Sequence, residues 1–302
     1  MPILIAVAIA TLLVSVVLTL VARHGRGADP ADVRVGSDGL VAQAHRHPAL
    51  RRFIVDRRDT TKSTGWLLTV ALVVITGLTL VVGLMLEMVQ TRAGFARWDD
   101  FAARWGAAHT TGTAETVLRI VTQLGSTPII IAVCVVASIV EYRRIPSRAV
   151  PAFIATVAAS QLVVANLIKV AVGRERPHIA RLISASGFSF PSGHATASAA
   201  VYAAIALVAG RGRSRRVKAL LAGAAGGIAI AVAMSRVLLG VHWLTDVIAG
   251  TALGWACFAL CSIAYGGRLL HFGAPVEQAG ATLINESSTV GNQIPVTPRS
   301  HP

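Results

Sequence analysis

Residues 219–265 read ALLAGAAGGIAIAVAMSRVLLGVHWLTDVIAGTALGWACFALCSIAY, and this segment constrains the architecture more than any other. It holds two apolar runs, 219–240 and 243–265, each long enough to cross a bilayer hydrocarbon core of about 30 Å as a helix. Its only charged side chains are Arg236 and Asp246, which flank the junction of the runs together with Ser235 and His242. Ionisable groups at such positions are costly unless they pair with one another or bind something. The segment therefore reads as a helical hairpin with polar chemistry at its turn.

The same alternation of apolar run and polar junction recurs along the rest of the chain. Further apolar runs occupy 2–22, 66–89, 116–140, 149–170 and 194–210. Pro128 starts or kinks the third of these, because 129–140 alone is too short to span. Pro151 sits near the start of the 149–170 run, where a helix tolerates it. Of the 302 residues 54% are hydrophobic and only 14% charged, whereas a soluble domain carries about 25% charge. That composition excludes an ordinary soluble protein and disorder of the bulk of the chain. The expected fold class is all-α, as a polytopic membrane protein. Cys134, Cys257 and Cys261 all fall inside apolar runs. They read as small buried side chains and imply neither a disulfide nor a thiolate metal site.

The expected organisation has four parts. Residues 1–22 read as an N-terminal transmembrane anchor rather than a signal peptide, since the basic residues follow the apolar stretch instead of preceding it. Residues 23–65 form a basic polar loop, 66–265 the helical domain, and 266–302 a Gly-, Pro-, Ser- and Thr-rich tail expected to be disordered. Within the domain, Trp98, Phe101 and Trp105 are spaced i, i+3 and i+7. Two readings fit them: an interfacial amphipathic helix, or loop aromatics packed against the bundle.

Lys and Arg total 28 against 14 Asp and Glu, a formal net charge of +14. On a soluble chain that excess would suggest nucleic acid. Here most basic residues fall in 23–65, 141–148, 211–218 and the tail, which alternate with the spans and so share one side. By the positive-inside rule that side is cytoplasmic, the partner is the bilayer, and nucleic acid is not expected. The opposite side should be poor in bases, yet Lys169, Arg174, Arg176, Arg181 and Arg236 lie at helix ends there. Such an excess asks for a local cause.

Three polar clusters supply it. They are Lys169-Val-Ala-Val-Gly-Arg-Glu-Arg176-Pro177, Pro191-Ser192-Gly193-His194, and Ser235-Arg236 followed by His242-Trp-Leu-Thr-Asp246. Lys169, Arg176 and Arg236 can neutralise a phosphoryl group. Ser192-Gly193 opens a helix whose backbone N–H groups and positive dipole end suit the same anion. His242 and Asp246, four residues apart, allow the carboxylate to fix the ring tautomer and leave the other nitrogen free to attack. His194 is a second titratable group, available as a general acid. Singly, each has a bland explanation: a snorkelling Lys, a capping Ser, an interfacial His-Trp pair, an Asp bound to nearby backbone. Jointly, these ionisable groups at one membrane depth demand a ligand.

In order, the clusters read Lys-x6-Arg-Pro, Pro-Ser-Gly-His and Ser-Arg-x5-His-x3-Asp, with no departure at any specified residue. This resembles the type 2 phosphatidic acid phosphatase (PAP2) superfamily of membrane lipid phosphatases, over about residues 66–265. The resemblance implies a six-helix core and hydrolysis of a phosphomonoester or pyrophosphate through a phosphohistidine. It implies His242 as nucleophile, Asp246 as its orienting partner and His194 as donor to the leaving oxygen. It further implies Lys169, Arg176, Ser192, Gly193 and Arg236 as phosphate holders, with no metal and no cofactor. The expected enzyme is a multi-pass cell-membrane phosphatase whose active site faces the extracytoplasmic side. Polyprenyl (undecaprenyl or decaprenyl) pyrophosphate, phosphatidylglycerol phosphate and phosphatidic acid all fit as substrates, since apolar helix faces do not distinguish their tails. A vanadium haloperoxidase has a similar site, but those proteins are soluble. A lipid phosphotransferase would use the same residues, and a non-enzymatic membrane protein would need a degenerate site that the sequence does not show. Oligomeric state is not encoded in these patterns.

Overall fold

The structure, a computed structural model, describes residues 80–144, 146–179 and 181–265, with isolated positions at 41–42, 44–46, 76–77 and 282. The expected anchor 1–22 lies outside the described residues, as do the start of the 66–89 run and nearly all of the 23–65 loop and the 266–302 tail. Residues 80–265 belong to one compact unit.

Among the described residues the fold is helical throughout, without strands. Helix α1 spans Leu80–Thr91. A short 3₁₀ turn, Gly94–Trp98, leads into α2, Asp99–His109. Then follow α3 (Thr113–Gln123), α4 (Thr127–Arg144), α5 (Ala149–Val172), α6 (Gly193–Ala209), α7 (Arg215–Leu238) and α8 (Leu244–Tyr265). Helices α5, α7 and α8 are each long and apolar enough to cross a membrane. Helices α3 and α4 pass that test only as a pair bent by 50°, and α1 and α6 are shorter apolar helices. The expected 116–140 run is thus divided between two helices, α3 and α4. Its break falls at Leu124-Gly125-Ser126, and Pro128 sits in the first turn of α4, where its missing N–H costs nothing.

Helix α6 is the hub, packed against α4, α5, α7 and α8. Its sequence, GHATASAAVYAAIALVA, is nearly half alanine, so neighbouring backbones approach closely. The approach is tightest at α8, where a Cβ on Gly254 would run into the Thr196 carbonyl oxygen and one on Gly250 would lie 2.7 Å from the Ser192 carbonyl oxygen. Hydroxyls inside the bundle bond their own helix: Thr196 to the Ser192 carbonyl, Ser198 to that of Ala195, Thr251 to that of Val247. These three therefore need no water. The outward faces are aliphatic, with Ile131, Val136, Leu162, Leu167 and Val170 exposed, as expected of surfaces solvated by lipid.

The helices run alternately, so the junctions 173–192 and 239–243 meet at one end of the bundle. At the other end lie Arg143, Arg144, Arg211, Arg213, Arg215, Arg216 and Lys218. There Glu141 of α4 pairs with Arg144 and reaches Arg211, just past α6. Arg215, Arg216 and Lys218, expected in a loop, form the first turn of α7. The aromatics at 98–105 divide between the two readings. Trp98 and Phe101 are exposed and contact each other edge to face at 5.8 Å. Trp105 turns inward against the Leu118, Leu238 and Leu239 cluster and stacks on His109. The three do not share one helix face, because Trp98 belongs to the 3₁₀ turn, whose twist differs from that of α2.

Candidate active site

Each cluster is delivered by a helix end. Helix α5 stops where Gly173 takes a left-handed φ of 62°, its N–H bonding the Lys169 carbonyl. Lys169 is therefore held in the last turn. The chain returns through Pro191, and α6 begins at Gly193 with Ser192 as N-cap. The Thr196 N–H is the first to bond back into the helix, at the Ser192 carbonyl. The N–H groups of Gly193, His194 and Ala195 thus have no acceptor within α6. A Cβ on Gly193 would meet only the Lys169 Cε, at 3.9 Å, so protein packing leaves the space beside it open to a ligand. Helix α7 carries Arg236 in its last turn, and the Arg236 carbonyl accepts from both Val241 and His242 N–H at 3.2 Å. Helix α8 then places Asp246 in its first turn.

These ends enclose a cavity of about 580 Å³, lined by Lys169, Arg176, Gly193, His194, Arg236 and His242, with Arg119, Thr122 and Gln123 of α3 on its rim and the 182–186 segment across it. All the expected residues converge here except two. Ser192 is fully buried just behind Gly193, where its N–H donates to the Asp246 carbonyl at 3.0 Å and its Oγ has no partner. Asp246 is also fully buried and meets the cavity lining at His242, its Oδ2 lying 3.3 Å from Nδ1.

The geometry at His242 fixes its protonation. Arg176 Nη1 lies 3.0 Å from His242 Nε2, and Asp246 Oδ2 lies 3.3 Å from Nδ1. Guanidinium can only donate, so Nε2 accepts, and the ring proton sits on Nδ1 facing the carboxylate. Burial pushes the imidazole down to about 4, with Arg176 and Arg236 adding to the shift and Asp246 opposing it. The ring is neutral near pH 7, with its Nε2 lone pair aimed at the cations.

Arg176 is locked. Nε donates to the Gly187 carbonyl at 2.9 Å, Nη1 to that of Val241 at 2.8 Å, and Nη2 to those of Ser186 and Phe188. Burial lowers its pKa from an already very high value, leaving it charged. Lys169 Nζ donates to the Phe188 carbonyl at 3.0 Å. Arg236 Nη1 donates to Thr122 Oγ1 at 3.1 Å, and its buried Nε has no partner. The break between α3 and α4 fits here because Gly125 abuts the His194 backbone. A Cβ on Gly125 would stand 2.9 Å from the His194 oxygen.

Several residues bearing on the site carry no motif signal. Thr122 positions Arg236. Trp243, for which the bland reading is an interfacial belt, instead braces the turn: its indole N–H donates to the Glu175 carbonyl and its backbone N–H to Asp246 Oδ2, each at 3.0 Å. Arg174, in sequence one of the unexplained outer cations, bonds Asp246 Oδ1 at 2.6 Å.

The PAP2 superfamily profile matches residues 149–269, which include every one of the expected cluster residues. The chain is 43% identical over 97 residues to phosphatidylglycerophosphatase B of Bacillus subtilis, covering 32% of this chain and 48% of that protein. It is 36% identical over 124 residues to lipid A 1-phosphatase of Rhizobium etli, covering 38% of this chain and 50% of that protein. With decaprenylphosphoryl-5-phosphoribose phosphatase of Mycobacterium tuberculosis it shares 38% identity over 115 residues, 35% of this chain and 55% of that protein. The chain thus spans about half the length of these curated relatives. The fold is similar to the crystal structure of a transmembrane PAP2-type phosphatidylglycerolphosphate phosphatase from Bacillus subtilis, with a TM-score of 0.61, 26% identity, and coverage of 66% of this chain and 98% of that one. The PAP2 superfamily profile and the ordered motifs coincide within residues 149–269, and the fold is similar to that of the solved PAP2-type phosphatase.

Proposed function

We propose that this chain is a multi-pass membrane phosphatase that hydrolyses a lipid phosphomonoester or polyprenyl pyrophosphate through a phosphohistidine on His242. The observation that carries the reading is the pairing at His242: one ring nitrogen on a buried carboxylate, the other a lone pair among Arg176, Arg236 and Lys169. That is an uncharged nucleophile aimed at the place where a phosphoryl dianion would sit.

Lys169 and Arg236 take the phosphoryl oxygens, joined by the Arg176 Nη1 N–H as it turns from His242 Nε2 to the phosphoryl group and frees the lone pair, with the N–H groups at the start of α6 and the orphaned Ser192 Oγ as further donors. His242 Nε2 attacks phosphorus as the ester P–O bond breaks, and the departing oxygen takes a proton from His194. The ring now carries a positive charge, which Asp246 stabilises through Nδ1–H. Water, giving its proton back to His194, then attacks phosphorus, and the P–N bond breaks to release phosphate and neutral His242. The cavity presents cations where a metal-dependent phosphatase presents carboxylates, so the proposed chemistry uses no metal.

The site is proposed to face the extracytoplasmic side, because the opposite end of the bundle carries the dense Arg and Lys junctions. The relatives' names cover a phosphatidylglycerophosphate, a lipid A phosphate and a decaprenyl-linked phosphate, and these define the substrate panel. Purified protein in detergent with excess EDTA should release phosphate from at least one panel member. Release that vanishes with EDTA and returns with Mg²⁺ would reject this mechanism. Transfer of the phosphoryl group to an added alcohol in preference to water would make the enzyme a phosphotransferase.

A further inference from the structure

Behind the proposed nucleophile lies a second layer that the three motifs do not include. Asp99, in the first turn of α2, is buried with 3% of its surface exposed. Its Oδ2 accepts from Arg174 Nη2 at 2.7 Å and from Thr245 Oγ1 at 2.7 Å, and its Oδ1 from the Thr245 N–H at 2.9 Å. Arg174 spans the gap to the site. Its Nη1 reaches Asp246 Oδ1 at 2.6 Å and Thr245 Oγ1 at 2.8 Å, and its guanidinium carbon lies 5.4 Å from the centre of the Trp243 ring. The result is an unbroken line from Asp99 through Arg174 and Asp246 to His242.

The line has a directional consequence. Asp246 must present Oδ2 to the His242 ring while its backbone sits at a helix start, where the side chain could rotate. Arg174 occupies Oδ1, and the Trp243 N–H shares Oδ2, so the carboxylate plane is fixed. Arg174 is in turn fixed because its two terminal nitrogens reach different carboxylates. A fork geometry does this where a point charge cannot. Neither Asp99 nor Arg174 lines the cavity, so a role in holding phosphate does not explain them.

We infer that Asp99 and Arg174 are positioning residues that hold the Asp246 carboxylate, and through it the His242 ring, in line for attack. The inference rests on the proposed function of His242 and Asp246. It makes α2, outside the three motifs, part of the site.

The test is single-turnover phosphoenzyme formation with nitrophenyl phosphate, comparing Asp99→Asn, Arg174→Lys, Asp246→Asn and the Asp99→Asn/Asp246→Asn double variant. Asp99→Asn keeps an acceptor for the Thr245 N–H, and Arg174→Lys keeps the charge but not the fork, so one remains usable if the other fails to fold. Each should slow the step by about 10–100-fold, the usual scale for removing an outer partner of a reacting group, with KM changed less than about threefold. If Asp99 acts through Asp246, the double variant should be no more than about twofold slower than Asp246→Asn. Rates within twofold of the parent for both single variants, or full additivity in the double variant, would overturn the inference. An unimpaired Asp246→Asn would overturn the underlying reading as well. A crippled Asp246→Asn beside an unimpaired Asp99→Asn and Arg174→Lys would overturn the positioning role alone.

Discussion

Replacing Asp246 by Asn perturbs the site at its most constrained point. The carboxylate accepts from three donors. Oδ1 takes Arg174 Nη1 at 2.6 Å, and Oδ2 takes the Trp243 N–H at 3.0 Å and His242 Nδ1 at 3.3 Å. Thr245 Oγ1, which accepts from Arg174, sits alongside. An amide of the same shape can keep only one oxygen. If the oxygen stays with Arg174, the new NH₂ faces the Trp243 N–H and the His242 Nδ1–H, donor against donor. The imidazole must then move its proton to Nε2, which loses the lone pair and confronts Arg176. If the oxygen turns to His242, the NH₂ meets a guanidinium. Loss of the correct tautomer in a His–Asp pair costs about 10⁴ in kcat, or roughly 5 kcal/mol at 1.36 kcal/mol per tenfold. Asp246→Asn should slow phosphoenzyme formation by about 10³–10⁴ with KM nearly unchanged, since Lys169, Arg176 and Arg236 are untouched. Rapid-quench single-turnover measurements supply the rate, and thermal unfolding in detergent checks the fold. A drop of less than tenfold in a folded variant would refute the tautomer argument.

Further predictions address other links. Because burial lowers His242 to about 4, the free enzyme should keep its nucleophile as pH falls through 6.5. The acid limb of kcat/KM, corrected for substrate ionisation, should then lie near 4, and a limb near 6.5 would contradict the burial. The same shift means that the unfolded chain takes up a proton before the fold does, so stability should fall between about pH 6.5 and 4. Gly250→Ala places a Cβ 2.7 Å from the Ser192 carbonyl and should destabilise by about 1–3 kcal/mol, with phosphate release impaired along with the thermal midpoint. In a background lacking Cys134, Cys257 and Cys261, His178→Cys should label with an impermeant thiol reagent in intact cells, and Ser214→Cys only after permeabilisation. The reverse pattern would invert the topology. His194→Ala should cripple hydrolysis of alkyl phosphates but largely spare the burst with nitrophenyl phosphate, whose leaving group needs no proton. Equal loss on both would make His194 a phosphate holder instead.

The helix content and the site's membership are legible in the sequence because both rest on strong local signals. Apolar runs of spanning length admit few folds, and cations clustered at the helix ends on the expected outer side lack a cheap explanation in the sequence. Other details are hidden for specific physical reasons. The sequence marks the irregularity of the 116–140 run at Pro128 rather than at 124–126, because only tertiary contact shows that Gly125 must abut the His194 backbone. Asp99 and Asp100 are adjacent carboxylates with nothing in the sequence to separate them. One is buried on Arg174, while the other faces outward toward Arg104 at 3.6 Å. Arg174 counts among the anomalous cations but stands two residues from Arg176, and spacing alone cannot show that one side chain goes to Asp246 and the other to His242. The i, i+3, i+7 aromatic spacing assumes an unbroken helix, and the 3₁₀ turn ending at Trp98 removes that premise.

What sets the proposed mechanism apart is a covalent bond between phosphorus and His242 Nε2, and trapping that bond decides it. Radiolabelled lipid phosphate mixed with purified enzyme and quenched within milliseconds should yield an acid-labile, base-stable phosphoprotein, with the label mapping to the peptide that contains His242. The His242→Ala variant should form none while still binding the substrate. A phosphoenzyme that persists in His242→Ala, or a label that maps to His194 or to any other residue, would contradict the mechanism.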